Sequence, residues 1–275
     1  MPRSGGAGGK QTGARAEPAR PLRSASQGDA SARGRKPSSD PVGTAGLTGV
    51  EVVDLASTPL RELNRRLHER ADVSRSWRIL NPNGAHAIAC GLDGEIDVEI
   101  QGHVGYYCAG MNKLATVRVH GNAGTGLAEN LMSGTVIVDG SASQSAGASG
   151  HGGLLVVHGD ASARCGISMK GIDIVVRGSV GHLSAFMAQT GRLVVCGDAG
   201  EALGDSIYEA RLYVRGEVAG LGADCVEKEL REEHVAELSD LLARAGVDGV
   251  DAREFRRYGS ARQLYNFKVD NAAAY

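Results

Sequence analysis

Aromatic side chains are scarce: three Phe, one Trp and seven Tyr in 275 residues, or 4%. A core short of rings must be built from thin layers of Val, Ile, Leu and Ala, and 42% of the chain is hydrophobic, enough to supply one. The five cysteines (Cys90, Cys108, Cys165, Cys196, Cys225) form no C-x-x-C pair and leave an odd one out. A disulfide framework is therefore not expected. No run of about 18 apolar residues is present for a membrane span, nor an apolar signal-peptide core. The expected location is cytoplasmic. Net charge is nearly absent as well, at −2, but it is unevenly spread. Residues 1–46 hold eight Lys/Arg (Arg3, Lys10, Arg15, Arg20, Arg23, Arg33, Arg35, Lys36) against three acids (Glu17, Asp29, Asp40). The tail is thus +5 and the rest of the chain −7. A nucleic-acid reader normally carries its basic charge on the folded domain, so nucleic acid is excluded as an expected partner.

What the chain has in plenty is glycine, 40 residues of it. Gly reaches positive φ at no steric cost, so many tight corners and a repetitive β architecture are expected. The segment 1–46 is Gly, Ser, Pro, Ala and Arg with almost no bulky apolar side chain, a composition that predicts disorder. It shares the Arg-rich, acid-poor make-up of a transit peptide without the amphipathic apolar positions, and reads as a dispensable tail. Gly5–Lys10 fails as a phosphate loop, because Ser4 and Gln11 stand where Gly and Ser or Thr belong.

The glycines closing successive apolar strands are Gly102, Gly121, Gly140, Gly159, Gly178, Gly197 and Gly216, every interval being 19 residues. A fixed period of this kind marks a solenoid. Two residues before each glycine stand Ile100, Val119, Val138, Val157, Val176, Val195 and Val214. Four before stand Val98, Val117, Val136, Leu155, Ile174, Leu193 and Leu212. Alternate strand residues face one way, so these two rows point inward. Two after come Val104, Ala123, Ala142, Ala161, Val180, Ala199 and Val218, and seven after are small residues only. The row one before the glycine is mostly polar and faces out. Crossover handedness favours a right-handed coil. The strict 19 does not divide into the hexads of left-handed acyltransferase helices. The expectation is an all-β, right-handed parallel β-helix of about seven 19-residue turns, with short helices flanking both ends as caps. Thr58–Pro59 opens the first helix, whose apolar face is Leu60, Leu63 and Leu67. The second runs from about Glu227 to Ala245, with Gly246 at its end. The division is a tail over 1–46, an N-terminal cap over 47–95, the β-helix over 96–225, and a C-terminal helix and tail over 226–275.

The ruler scatters the reactive side chains. Cys108 and Cys165 share one slot three turns apart, about 14 Å at one strand spacing per turn, too far for a shared metal. Packing or surface cysteines are the main reading and a redox role the lesser one. His120 and His158 lie two turns apart, about 10 Å, and read as solvated surface histidines. Glu129, Asp205 and Asp224 recur in one slot without forming a carboxylate pair. Sugar-stacking aromatics are too few for a polysaccharide-active β-helix, and a carbohydrate-binding role ranks third. No catalytic, cofactor-binding or metal-binding residue is assigned. One edge differs: in the loop after the strand stack Tyr106, Tyr107, Met111 and Asn112, then Glu129 and Asn130, then Arg164, Met169 and Lys170. This mixture of Met, aromatic and charged side chains suits a protein–protein surface, against the plainer reading of a packed corner. An independent enzyme with its site near Arg164 is the competing function.

The repeated V-x-V-x-G-x-A/V-G over about residues 96–224 resembles the repeated-glycine-motif domain of glutamate synthase. NPNGAHAIACG, GHVGYYCAGMN, AENLMSG, RCGISMKGIDIVVRG, GDSIYEA and RYGSARQLYNF are similar to its stand-alone version. That version is the B subunit of N-methylglutamate synthase (methylamine–glutamate N-methyltransferase), a glutamate synthase-like amidotransferase component. The resemblance implies a scaffold without its own active site or cofactor. It would bridge an amidotransferase-like subunit and a subunit bearing FMN and an iron–sulfur cluster. The β-helix component of a formylmethanofuran dehydrogenase-type complex is the runner-up.

Overall fold

A computed structural model of the chain describes residues 49–69 and 75–263. The expectations for the tail at 1–46 and for the last part of RYGSARQLYNF lie outside the described residues. The first strand, β1 (Val50–Asp54), leads into helix α1 (Leu60–Glu69) and strand β2 (Ser76–Leu80). The repeat then supplies β3 (Asp97–Gln101), β4 (Thr116–Val119), β5 (Thr135–Val138), β6 (Leu154–Val157), β7 (Lys170–Val176), β8 (Thr190–Val195) and β9 (Arg211–Val214). All nine lie parallel in one sheet in chain order. Val98 faces Val117, Val117 faces Val136, and so on at steps of 19, which makes the sheet a β-solenoid of about seven turns. β2 joins the same sheet but pairs 21 residues ahead, Ser76 with Asp97.

Both inward rows are buried as expected, with Val157, Val176 and Val195 fully shielded from solvent. The third row, Val104 to Val218, forms a second ladder of parallel bridges. The slot seven after the glycine is small for a reason visible only in three dimensions. Ala109, Ala128 and Ala185 have φ of 54–56°. This left-handed conformation is costly for larger side chains, and a Cβ on Gly147 in the same slot would stand 2.6 Å from Ile174 Cδ1.

The 19-residue glycines themselves correct the reasoning from positive φ. Of the seven, Gly102 alone has a positive φ, at 132°. The others are needed because the turns nearly touch. The Gly140 N–H donates to the Gly121 carbonyl at 3.0 Å, and the contact repeats along the column. A Cβ at Gly121 would stand 2.6 Å from the carbonyl carbon of Gly102.

The first helix covers one end as expected. Leu63 and Leu67 are buried among Val53, Trp77 and Ile88, and the Asn64 amide donates to the Ala87 carbonyl and accepts from the Ala89 N–H. The second does not. Residues Cys225–Lys228 form strand β10 rather than the start of a helix, and α2 spans Glu232–Arg244. It lies across the outer face of β6–β9, where Val235, Leu238, Leu241 and Leu242 pack on Leu154, Val156, Val175, Val194 and Tyr213. Glu237 accepts the Tyr213 hydroxyl proton at 3.0 Å and pairs with Arg211 at 3.1 Å. Past β9 the sheet continues instead through antiparallel β11 (Arg256–Ser260) and β10. Tyr258 and Cys225 from this pair enter the inner core. Three residues before each glycine the outer row reads Glu99, Arg118, Ile137, Val156, Val175, Val194, Tyr213. Its change from charged to apolar marks where α2 lies.

Candidate functional site

At the corner one residue past each glycine, the side chain and the chain direction together make a ladder. The Asn122 N–H donates to His103 Nδ1 at 2.9 Å, Ser141 to Asn122 Oδ1 at 2.9 Å, and Asp160 to Ser141 Oγ at 3.2 Å. Ser179 donates to Asp160 Oδ1, Asp198 to Ser179 Oγ, and Glu217 to Asp198 Oδ1, at 2.8–2.9 Å. Each side chain satisfies a backbone donor in the next turn, so these acids are structural. Sequence reasoning missed this row, although every member from His103 to Glu217 carries an acceptor.

The outer sheet face holds a second polar cluster. Asp139 sits between two histidines, accepting from His120 Nδ1 at 2.8 Å and lying 3.5 Å from His158 Nδ1, and it pairs with Arg118 at 2.7 Å. These histidines are partly buried and engaged, not freely solvated as expected. Burial alone would raise the Asp139 pKa, but hydrogen bonds from His120 and Arg118 outweigh it and hold the carboxyl below its usual value. Burial pushes His158 down, against the pull of Asp139 and with Arg177 and Arg118. Next to this cluster, Val50, Trp77, Arg78, Glu99, Arg118 and Ile137 line a shallow groove of about 350 Å³.

The thiols are quiet. All five cysteines are free, and burial pushes Cys165 and Cys225 up to about 12. Asp224 accepts from Ser260 Oγ and the Gln263 N–H, which holds residues 260–263 beside the start of β10. Among the described residues no group of three His, Cys, Asp or Glu is placed to hold a metal ion.

The loop edge stands apart. Its backbone alternates into left-handed φ at Tyr107 (59°), Ala109 (54°) and Met111 (57°), and likewise at Arg164 (60°), Gly166 (67°) and Ser168 (53°). The N–H groups of Tyr107 and Met111 are fixed to Thr125 and Glu129 carbonyls of the next turn at 2.9 and 2.8 Å. Tyr106, Tyr107 and Met111 are 51%, 50% and 54% exposed. Arg164 and Lys170 are exposed, and Glu129 and Asn130 half-buried. Two predicted members do not belong to the surface. Asn112 is fully buried, its amide bonding the Ala115 carbonyl and N–H to close a turn, and Met169 is a fully buried core side chain. The missed members are exposed Leu114, in a slot filled by Ser133, Gly152 and Gly171 in later turns, and His86. The His86 ring stacks on Tyr106 with centroids 4.5 Å apart.

Fold and surface together define a β-solenoid protein with one irregular, partly apolar edge. No family model matches the chain. It is 62% identical over 226 residues to Protein GlxC of Rhizobium meliloti (strain 1021), an alignment covering 82% of this chain and 99% of that protein. The chain belongs to the family of Protein GlxC. Among the described residues no helix is long and apolar enough to cross a membrane.

Proposed function

We propose that the chain is a non-catalytic scaffold subunit of a glutamate synthase-related multi-subunit enzyme. Its finer identity is the B subunit of an N-methylglutamate synthase, which turns glutamate and methylamine into N-methylglutamate and ammonia. In this reading it acts in the cytoplasm and bridges an amidotransferase-like subunit and a flavin-bearing one. FMN and the iron–sulfur cluster reside on that second partner. The reading rests on the division of labour among side chains. The acids and histidines at the ladder corner and on the outer sheet face are spent on the solenoid itself, while the exposed aromatic and Met residues gather on one rigid edge. Contact surfaces enriched in Tyr, Met and Arg are the mark of protein interfaces.

The experiment is to tag the chain in its native host and identify what co-purifies. Recovery of an amidotransferase-like chain with a flavin protein, and N-methylglutamate formation by the recovered complex, is the expected result. A colourless homo-oligomer that turns over substrate unaided and loses that activity on Arg164→Ala would overturn it in favour of an independent enzyme.

A further inference from the structure

We infer that the loop edge of the first four repeat turns docks a partner surface that is apolar and recessed at its centre and acidic at its rim. The inference rests on the scaffold reading and adds to it the face and its chemistry. Ten large hydrophobic side chains stand exposed among the described residues, and five are on this edge: Tyr106, Tyr107, Met111, Leu114 and Met132. All five fall within the first two turns, so they form a patch rather than the scatter that any surface shows.

Within these four turns the charges beside the patch are of one dominant sign, while exposed Asp93 and Glu95 stand just before them, one turn from Asn112 and Leu114. Lys113 and Lys170 share a slot with Met132 between them, three turns or about 14 Å apart at one strand spacing per turn, and Arg164 stands in the slot of Tyr107. All three are exposed, and none pairs with a described carboxylate. Glu129 is the acid among them. Three strand arginines are paired instead: Arg78 is met by Glu99, Arg118 by Asp139 and Arg192 by Asp173. An unpaired cationic edge on a chain that carries −7 outside its first 46 residues is complementary to an acidic partner. A second copy of this chain fits poorly, because it would bring the same three cations together.

The backbone supports the same conclusion. Tyr107, Met111 and Arg164 hold left-handed φ in slots that Gly126, Ser149 and Ser145 also fill, so the solenoid does not need a bulky side chain there. Hydrogen bonds to the next turn fix the backbone of all three residues, at 2.8–2.9 Å. A surface held this way loses little freedom on binding.

The test uses the complex purified from the native host. A carbodiimide joins an amine to a carboxylate only where the two touch. Lys113 and Lys170 are expected to couple to Asp or Glu of a partner subunit. Tyr107→Ser with Met111→Ser, and separately Arg164→Glu with Lys170→Glu, are expected to cut partner recovery at least tenfold. The melting temperature of the purified chain should not move, and the charge pair guards against a fold defect in the first. Arg78→Glu, in the groove on the outer sheet face, should leave recovery unchanged. The inference is overturned if both double variants retain the partner, if the Arg78 variant alone loses it, or if the cross-links join two copies of this chain. A wild-type chain that purifies alone overturns the scaffold reading itself, a result visible before any variant is made.

Discussion

Two corners of the same solenoid turn make the most instructive contrast. At the first, just past the glycine, His103, Asn122, Ser141, Asp160, Ser179 and Asp198 differ in size and charge. Yet each does one thing, accepting the backbone N–H one turn on. At the second, Tyr107, Arg164 and Leu183 occupy one slot, and their side chains form no hydrogen bond or ion pair with the next turn. Chemical sameness along a column marks a row that the fold uses. Chemical variety along a column whose backbone is equally regular marks a row free to serve something outside the chain.

The strongest lever is the wall between the corners. Val157→Asp places an unpaired carboxylate in a fully buried row and should destabilise by about 4 kcal/mol or more. A thermal melt within a few degrees of wild type would sink the inward assignment. The first corner comes next. Asp160→Ala strips the acceptor from Ser179 N–H and should cost about 1 kcal/mol, while Asp160→Asn, which keeps an oxygen there, should cost less. Equal denaturation midpoints for all three proteins would show that the ladder is decoration.

On the outer sheet face the effect depends on pH. The folded-state pKa of His158 lies below its ordinary 6.5, so the folded protein resists a proton that the unfolded chain accepts. Stability should therefore decline as pH falls below about 6.5, and His158→Gln should flatten that decline. His234 adds to the same slope, since burial and then Arg257 depress it and its Nδ1 accepts the Arg231 N–H. Asp139 acts in the same direction at lower pH: its depressed pKa contributes stability above about 3.8 that is lost as pH falls through the folded value. Urea midpoints between pH 8 and pH 3 would resolve the two steps. A profile unchanged by His158→Gln would remove that residue from the account.

The smallest effect belongs to the second corner. Arg164→Ala should shift stability by no more than about 0.5 kcal/mol, in contrast with Asp160→Ala. A loss as large as the ladder variant's would erase the distinction between the corners.

The sequence by itself determined the solenoid. A 19-residue spacing kept through seven glycines, with aliphatics two and four residues earlier, admits one arrangement, because alternate strand residues share a face and identical turns must stack. It also placed Tyr106, Tyr107, Met111, Arg164 and Lys170 on one exposed edge, since slots in register become columns in space. Reading by slot could not separate Asn112 and Met169 from their exposed neighbours. In a loop whose φ changes sign at alternate residues, inward and outward directions do not follow a simple period. The position of α2 was likewise decided by tertiary structure: an amphipathic helix reports that it has a buried face, not which surface that face meets. Only in the folded chain did the glycine column turn out to answer close approach of the turns rather than left-handed φ. Steric contact between residues 19 apart exists only once the turns are stacked.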